Sequence, residues 1–101
     1  MSELDWDEDN SNHIREHGVS SIEAQQVVIN EPFDLEFQTK AGEDRFVQLG
    51  ETNGGRILIV VSTWRGTKIR VITAYDAPKA LKHLYIIEKG KYGGDPQDPS
   101  I

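Results

Sequence analysis

The sequence contains no cysteine, and this absence excludes disulfide bridges and thiolate metal sites. It also has no uninterrupted apolar run near the roughly 18–20 residues that a membrane-spanning helix needs. The N-terminal residues are acidic, unlike the basic start of a secretory signal peptide. We therefore expect a cytoplasmic protein that has no membrane partner.

The composition predicts one small soluble domain. The chain has 101 residues, of which 37% are hydrophobic and 28% are charged, as is usual for globular proteins. Residues 93–99 are rich in glycine, proline and aspartate and lack the apolar side chains needed for packing. We expect a single domain over residues 1–91 and a flexible tail over residues 92–101.

Positive charge is scarce overall but concentrated in the second half of the chain. The net charge is −6, yet residues 1–17 hold six acids and one base, whereas residues 56–91 hold eight bases and two acids. Local potential governs binding more than the total charge does. The basic half favours an anionic partner, and a solvated surface of mixed charge is the simpler interpretation.

Local signals predict two short helices at the start of the chain. Asp5 or Asp7 is a suitable N-cap for the first helix, and Gly18 can end it in the left-handed conformation. Ser20 and Glu23 have the spacing of a capping box for the second helix. We expect its apolar contacts to come from Ile22, Val28 and Ile29.

The remainder of the sequence predicts four strands and a closing helix. Hydrophobic residues alternate from Phe33 onward, and runs near residues 46–49, 57–61 and 68–75 are typical of further strands. Pro78 marks the start of a last helix that ends near Gly90. The expected fold is α+β, with two helices, a four-stranded antiparallel meander and a C-terminal helix, the helices covering one sheet face.

The first helix carries an unusual stripe of polar and ionisable side chains. Residues three and four apart share a helical face, and Asn10, His13, Ile14 and His17 have this spacing. A helix needed only for packing would carry leucines there. The two imidazoles indicate a face used for chemistry or for a specific hydrogen-bonded contact.

Several motifs resemble those of the BrnT-type ribonuclease toxins, and the resemblance covers about residues 4–88. They are Trp6-Asp7, His17-Gly18-Val19-Ser20, Arg70-Val71-Ile72-Thr73-Ala74 and Tyr85. The resemblance implies a small RelE-like fold that cuts RNA without a cofactor and arrests growth. It also implies an antitoxin partner that is usually DNA-binding and encoded beside the toxin, with any oligomer formed through the antitoxin complex.

RNA cleavage without a metal requires an acid, a base and positive charge at the phosphate. His17 is the expected acid or base, because an unperturbed imidazole titrates near neutral pH. Arg65 and Arg70 are the expected phosphate clamps, and Tyr75 is expected to donate a proton or a hydrogen bond. Further RNA contacts are expected from Arg56, Lys68 and Lys79.

Other interpretations of these residues remain open. Many relatives carry an arginine where this chain has Tyr75, so the chain is alternatively an inactive toxin-fold module that acts through its partner. His17 would then only cap its helix, and Arg70 would pair with an acid such as Glu36. A lesser alternative is a small zinc hydrolase, because residues 13–17 match the H-x-x-E-H pattern.

Overall fold

The computed structural model describes residues 3–90, so the tail predicted over residues 92–101 lies outside the described residues. No helix within this range has the length and apolar character needed to cross a membrane. The elements are α1 (Glu8–Glu16), α2 (Ser21–Ile29), β1 (Phe33–Lys40), β2 (Glu43–Glu51), β3 (Ile57–Arg65), β4 (Lys68–Asp76) and α3 (Lys79–Glu88). The strands form one antiparallel sheet in the order β1-β2-β3-β4, which confirms the predicted α+β fold.

The ends of the first two helices follow the predicted capping signals. The Asp7 carboxylate accepts a hydrogen bond from the Asn10 backbone N–H at 3.2 Å, and the Asn10 side chain accepts one from the Asp7 N–H. Gly18 ends this turn at φ 77°. The Ser20 hydroxyl accepts from the Glu23 N–H at 3.1 Å, so α2 begins with the expected capping box.

Helices pack on both faces of the sheet, so the prediction that they cover one face was wrong. Val60 is buried in a cluster with Ile14 of α1 and Val27 of α2, and this side of the sheet is the α1–α2 face. The preceding residue, Ile59, is buried with Tyr85 of α3 on the opposite side of the sheet, which is called here the α3 face. Because β3 is apolar on both sides, it needs a covering layer on each.

The buried side of α2 also differs from the prediction. Ile22 and Ile29 are 68% and 40% exposed, whereas Ala24 and Val27 are buried. A Cβ atom added at Gly50 of β2 would lie 2.9 Å from the Val27 side chain. The helix therefore approaches the sheet closely on its small-residue side, which leaves the two isoleucines outside the core.

The N-terminal segment adds one bridge to the β4 edge of the sheet. Leu4 pairs in parallel with Ile69, the Asp5 N–H donates to the Ile69 carbonyl at 2.8 Å, and the Ile69 N–H donates to the Glu3 carbonyl at 2.9 Å. This bridge brings the acids of the N-terminal segment next to the basic strand β4.

Candidate active site

The register of the sheet places every lysine and arginine of the four strands on the α3 face. Arg45 of β2 lies opposite Thr63 of β3, which lies opposite Arg70 of β4, so these side chains form a row across three strands. Thr63 is four residues from Ile59 and therefore shares its side of the sheet. The cations on this face are Lys40, Arg45, Arg65, Lys68 and Arg70.

A cleft lies where this cationic row meets α1. The helix runs beside β4, and the Asn10 side-chain amide donates to the Val71 carbonyl at 3.0 Å. This contact fixes the helix so that His13 lines a cleft of about 270 Å³ together with Arg45, Arg65 and Arg70. The cleft therefore combines three guanidinium groups and an imidazole with two carboxylates, those of Asp9 and Glu43.

Arg70 is held in place by two acids of the N-terminal segment. Its Nη1 atom lies 3.0 Å from the Asp7 carboxylate and 3.6 Å from that of Asp5, and its side chain is only 14% exposed. Hydrogen bonding between the pair lowers the pKa of Asp7 and raises the pKa of Arg70. The alternative prediction, in which Arg70 pairs with an acid such as Glu36, was wrong about the partner, because Arg70 pairs with Asp5 and Asp7.

The other cations on the α3 face differ in how far they are neutralised. Arg45 pairs with Glu43 at 3.1 Å, and Lys68 lies 3.9 Å from Glu3. Arg65 is exposed, and within residues 3–90 its side chain forms no ion pair and donates no hydrogen bond. All five N–H groups of its guanidinium are therefore available to an anion.

A second histidine and a tyrosine extend the cleft along the sheet edge. The rings of His13 and His17 lie 5.3 Å apart, centroid to centroid, in an edge-on arrangement. The ring of Tyr75 lies 6.3 Å from that of His17. All three side chains are exposed. A ligand seated in the cleft can therefore reach two imidazoles and a phenol in succession.

The comparisons with known proteins identify the family. The family described as "Ribonuclease toxin, BrnT, of type II toxin-antitoxin system" matches residues 6–80, most of the chain. The chain belongs to the BrnT toxin family. A 1.1 Å crystal structure of the Brucella abortus ribonuclease toxin BrnT is similar, with a TM-score of 0.55 and 26% identity over 78% of this chain and 100% of that one. No curated protein matches the sequence.

Membership of the BrnT family has two direct consequences. The α+β arrangement of this chain matches the fold of the Brucella BrnT structure. A toxin of a type II toxin–antitoxin system also has an antitoxin protein as its partner.

The site residues predicted from the sequence fall into two groups in this BrnT-family chain. Arg65 and Arg70 share the cleft, and His17 and Tyr75 lie together farther along β4. His13 connects the two groups, because it lines the cleft and its ring lies beside that of His17. Lys68 lies on the same face of the sheet as Arg65 and Arg70.

Two predicted RNA-binding residues lie outside the cleft lining. Arg56 donates to the Gly18 carbonyl at 2.8 Å and pairs with Glu23 at 3.2 Å, so it ties the α1–α2 junction to the start of β3. The Ser20 N–H and then Arg56 stabilise the ionised Glu23 and lower its pKa. Lys79 is the first residue of α3 and does not line the cleft.

Two basic residues of the cleft, His13 and Arg45, were not among the predicted site residues. His13 was predicted to lie on one helical face with His17, four residues away, but it was given no role in RNA cleavage. Arg45 carried no local signal, because its proximity to Arg70 depends on the register of two hairpins. Pairing alternate residues outward from both turns would have found it.

The zinc interpretation requires a third ligand beside the two histidines. Across the part of the chain that the structure describes, no three histidine, aspartate or glutamate side chains lie where they could share a metal ion. The two histidines of the H-x-x-E-H pattern instead lie on the face of α1 that is next to the cleft.

Proposed function

We propose that this BrnT-family toxin is a cytoplasmic, metal-independent RNA endonuclease that arrests growth. A DNA-binding antitoxin encoded beside it would neutralise it. The observation that carries the proposal is the cleft in which three arginines meet His13, with His17 and Tyr75 next to it. The Brucella protein of similar structure is described as a ribonuclease toxin, which supports the same activity here.

The two histidines would supply acid–base catalysis. In the proposed reaction one imidazole removes the proton of a ribose 2′-OH, whose oxygen attacks the adjacent phosphorus. The bond from phosphorus to the 5′-oxygen breaks, and the second imidazole, or the Tyr75 hydroxyl, gives that oxygen a proton. The products are a 2′,3′-cyclic phosphate and a 5′-hydroxyl. Such proton transfers typically contribute about 10²–10⁴ in rate.

The arginines would stabilise the charge that develops on the phosphoryl oxygens. Arg65 is the best candidate because its donors are free, and a guanidinium presents two parallel N–H groups to a phosphate. Arg45 and Arg70 keep further N–H donors beyond those that bind carboxylates. Removing one preorganised donor of this kind typically costs about 10²–10³ in rate.

The experiment that tests the proposal is inducible expression with and without the adjacent gene. We expect the toxin alone to stop growth and degrade cellular RNA, and we expect the neighbouring gene to relieve both effects. His13→Ala, His17→Ala and Arg65→Ala should each abolish arrest while the circular dichroism spectrum is retained. Arg15→Ala, an exposed change on α1 outside the cleft, is the matched control.

The second candidate function is an inactive toxin-fold module. It is favoured by Tyr75 in the position expected to hold an arginine and by the acids that already neutralise Arg70. It predicts no growth arrest and no RNA cleavage at micromolar protein, together with tight binding to the neighbouring protein. That result would exclude the nuclease proposal.

A further inference from the structure

The sheet face opposite the cationic row carries an apolar groove at the same end of the molecule. Val28 of α2, Phe46 of β2, Trp64 of β3 and Ile69 of β4 line this groove, which has a volume of about 330 Å³ and is called here the aromatic groove. Phe37 of β1 lies beside it, with its ring 5.2 Å from that of Phe46.

The register shows that these residues share the α1–α2 face. Phe37 lies opposite Phe46, Phe46 lies opposite Ser62, and Trp64 lies opposite Ile69. Val60, two residues before Ser62, is covered by the helices, but Trp64 and Phe37 lie beyond them and are 49% and 58% exposed. A contiguous group of exposed large apolar side chains on a small domain marks a binding surface more often than a single exposed residue does.

Charge distinguishes the possible occupants of the groove. None of the strand residues on the α1–α2 face is a lysine or arginine, since all five strand cations lie on the other face. Asp34 lines the groove, and Asp44 lies on the same face two residues before Phe46. Two carboxylates without a neighbouring strand cation disfavour the phosphates of RNA.

A second copy of the chain is disfavoured for a related reason. A symmetric dimer through this face would place the Asp34 and Asp44 carboxylates of one copy against the same surface of the other. Like charges facing each other across an interface oppose association. The occupant that fits both the apolar lining and the acidic rim is a protein segment with large apolar side chains flanked by lysine or arginine.

We propose that the aromatic groove is the surface on which the antitoxin anchors to this toxin. The antitoxin would insert an apolar side chain between Trp64 and Phe46 and would place basic residues next to Asp34 and Asp44. The proposal rests on the toxin–antitoxin assignment and adds a location to it. The anchor lies on the sheet face opposite the RNA cleft, so binding at the anchor and cleavage are separable by mutation.

The test measures binding of the purified product of the adjacent gene to the full-length toxin by titration calorimetry. We expect Trp64→Ser and Phe37→Ser each to weaken the complex by about 10-fold or more, as is usual for central aromatic residues of an interface. RNA cleavage by the free variants should be unchanged. Ile22→Ser, a change at a more exposed apolar residue of α2 outside the groove, should leave the Kd unchanged.

The charge of the rim gives an independent arm of the same test. Asp34→Lys should weaken the complex and slow its formation, because it replaces an attractive charge by a repulsive one. Glu88→Lys makes the same change of charge at the end of α3 and should have no such effect. Measuring both complexes at low and high salt separates the electrostatic contribution from the apolar one.

The outcomes distinguish this inference from the proposed function. Wild-type affinity in Trp64→Ser, Phe37→Ser and Asp34→Lys would overturn the anchor while leaving the toxin assignment intact. Loss of RNA cleavage in Trp64→Ser with antitoxin affinity retained would instead make the groove an RNA-stacking platform. A neighbouring protein that binds neither the wild type nor any variant would overturn both proposals.

Discussion

At the scale of single residues, Tyr85 shows how one side chain serves as both core and polar contact. The sequence placed it on the apolar side of the last helix and favoured a role in the core, and the structure confirms this burial. Its ring packs 5.3 Å from that of Phe33, and its hydroxyl donates to the Glu51 carboxylate at 3.2 Å. Burial, and then the charge of Glu51, raise the pKa of Tyr85 to about 12.

This raised pKa predicts a loss of stability at alkaline pH. In the unfolded chain Tyr85 ionises near pH 10, whereas in the folded chain it stays neutral up to about pH 12. The free energy of unfolding should therefore be unaffected by this residue below pH 10 and should fall as pH rises from 10 to 12. Urea unfolding at several pH values measures the effect, and Tyr85→Phe should remove this part of it.

At acidic pH the free energy of unfolding should change in the opposite direction, rising as pH rises. The pKa values of Asp7, Glu23 and Asp76 are lowered, chiefly by hydrogen bonds from Arg70, from the Ser20 N–H and from Lys82 respectively. Their contribution is complete above the unfolded-state pKa of about 4 and is lost as pH falls below it. Thermal unfolding between pH 6 and 3 should show a falling Tm at about pH 4 and below. A Tm that stays constant over this range would contradict the prediction.

At the scale of elements, α2 depends on the capping of its first turn as well as on its buried side chains. Ile22 and Ile29 are exposed, so the helix is held against the sheet by the buried side chains of Ala24 and Val27 and by the partly buried Val28. The capping box at Ser20 satisfies backbone donors that the short helix would otherwise leave free. Caps therefore account for a larger share of the stability of this helix than is usual for a longer one.

We expect Ser20→Ala to lower the free energy of unfolding by about 1 kcal/mol, because the Glu23 N–H loses its acceptor. Ser21→Ala is the matched control: it changes the adjacent serine, which lies inside the helix and tolerates alanine. Urea unfolding followed by circular dichroism compares the two. Equal stability of both variants would show that the cap contributes nothing.

Structural features that depend on neighbouring residues could be predicted from the sequence. Features that depend on contacts between distant parts of the chain could not. The caps at Asp7 and Ser20 and the turn at Gly18 depend on neighbouring residues and were found. The partner of Arg70 and the proximity of Arg45 depend on the register of strands and on the N-terminal bridge, which a single sequence does not encode locally. The prediction wrongly placed Ile22 and Ile29 in the core because they are the largest apolar residues of α2. The close approach of the helix to the sheet at Gly50 admits smaller side chains instead.

At the scale of the whole molecule, the sheet separates charge between its two faces. The net charge of −6 opposes RNA binding, but all five strand cations lie on the α3 face, where they outnumber the strand acids Glu36, Glu43 and Glu51. The strand residues of the other face include the acids Asp34, Asp44 and Asp76 and no lysine or arginine. RNA should therefore meet a positive surface despite the negative total. This separation is the basis of the salt dependence expected for the toxin.

RNA binding to a non-cleaving variant, His17→Ala, should weaken steeply with salt. Each phosphate contact to single-stranded RNA contributes roughly 0.7 to the slope of log affinity against log salt. Adding Arg65→Ala should reduce the slope by about one such contact, because Arg65 lacks any carboxylate partner within the described residues. Adding Arg15→Ala instead should leave the slope unchanged, and fluorescence anisotropy measures all three. An unchanged slope in the Arg65 variant would remove that side chain from the RNA site.

The hairpin between β3 and β4 has a larger role than its two loop residues suggest. Gly66 adopts φ 65°, a conformation that favours glycine, and Arg65 and Lys68 face each other across the turn. One residue more or fewer in this loop would turn β4 over relative to β3, sending Arg70 to the α1–α2 face and Ile69 to the α3 face. This one tight corner of the backbone thus decides which side of the toxin receives the two cations of β4.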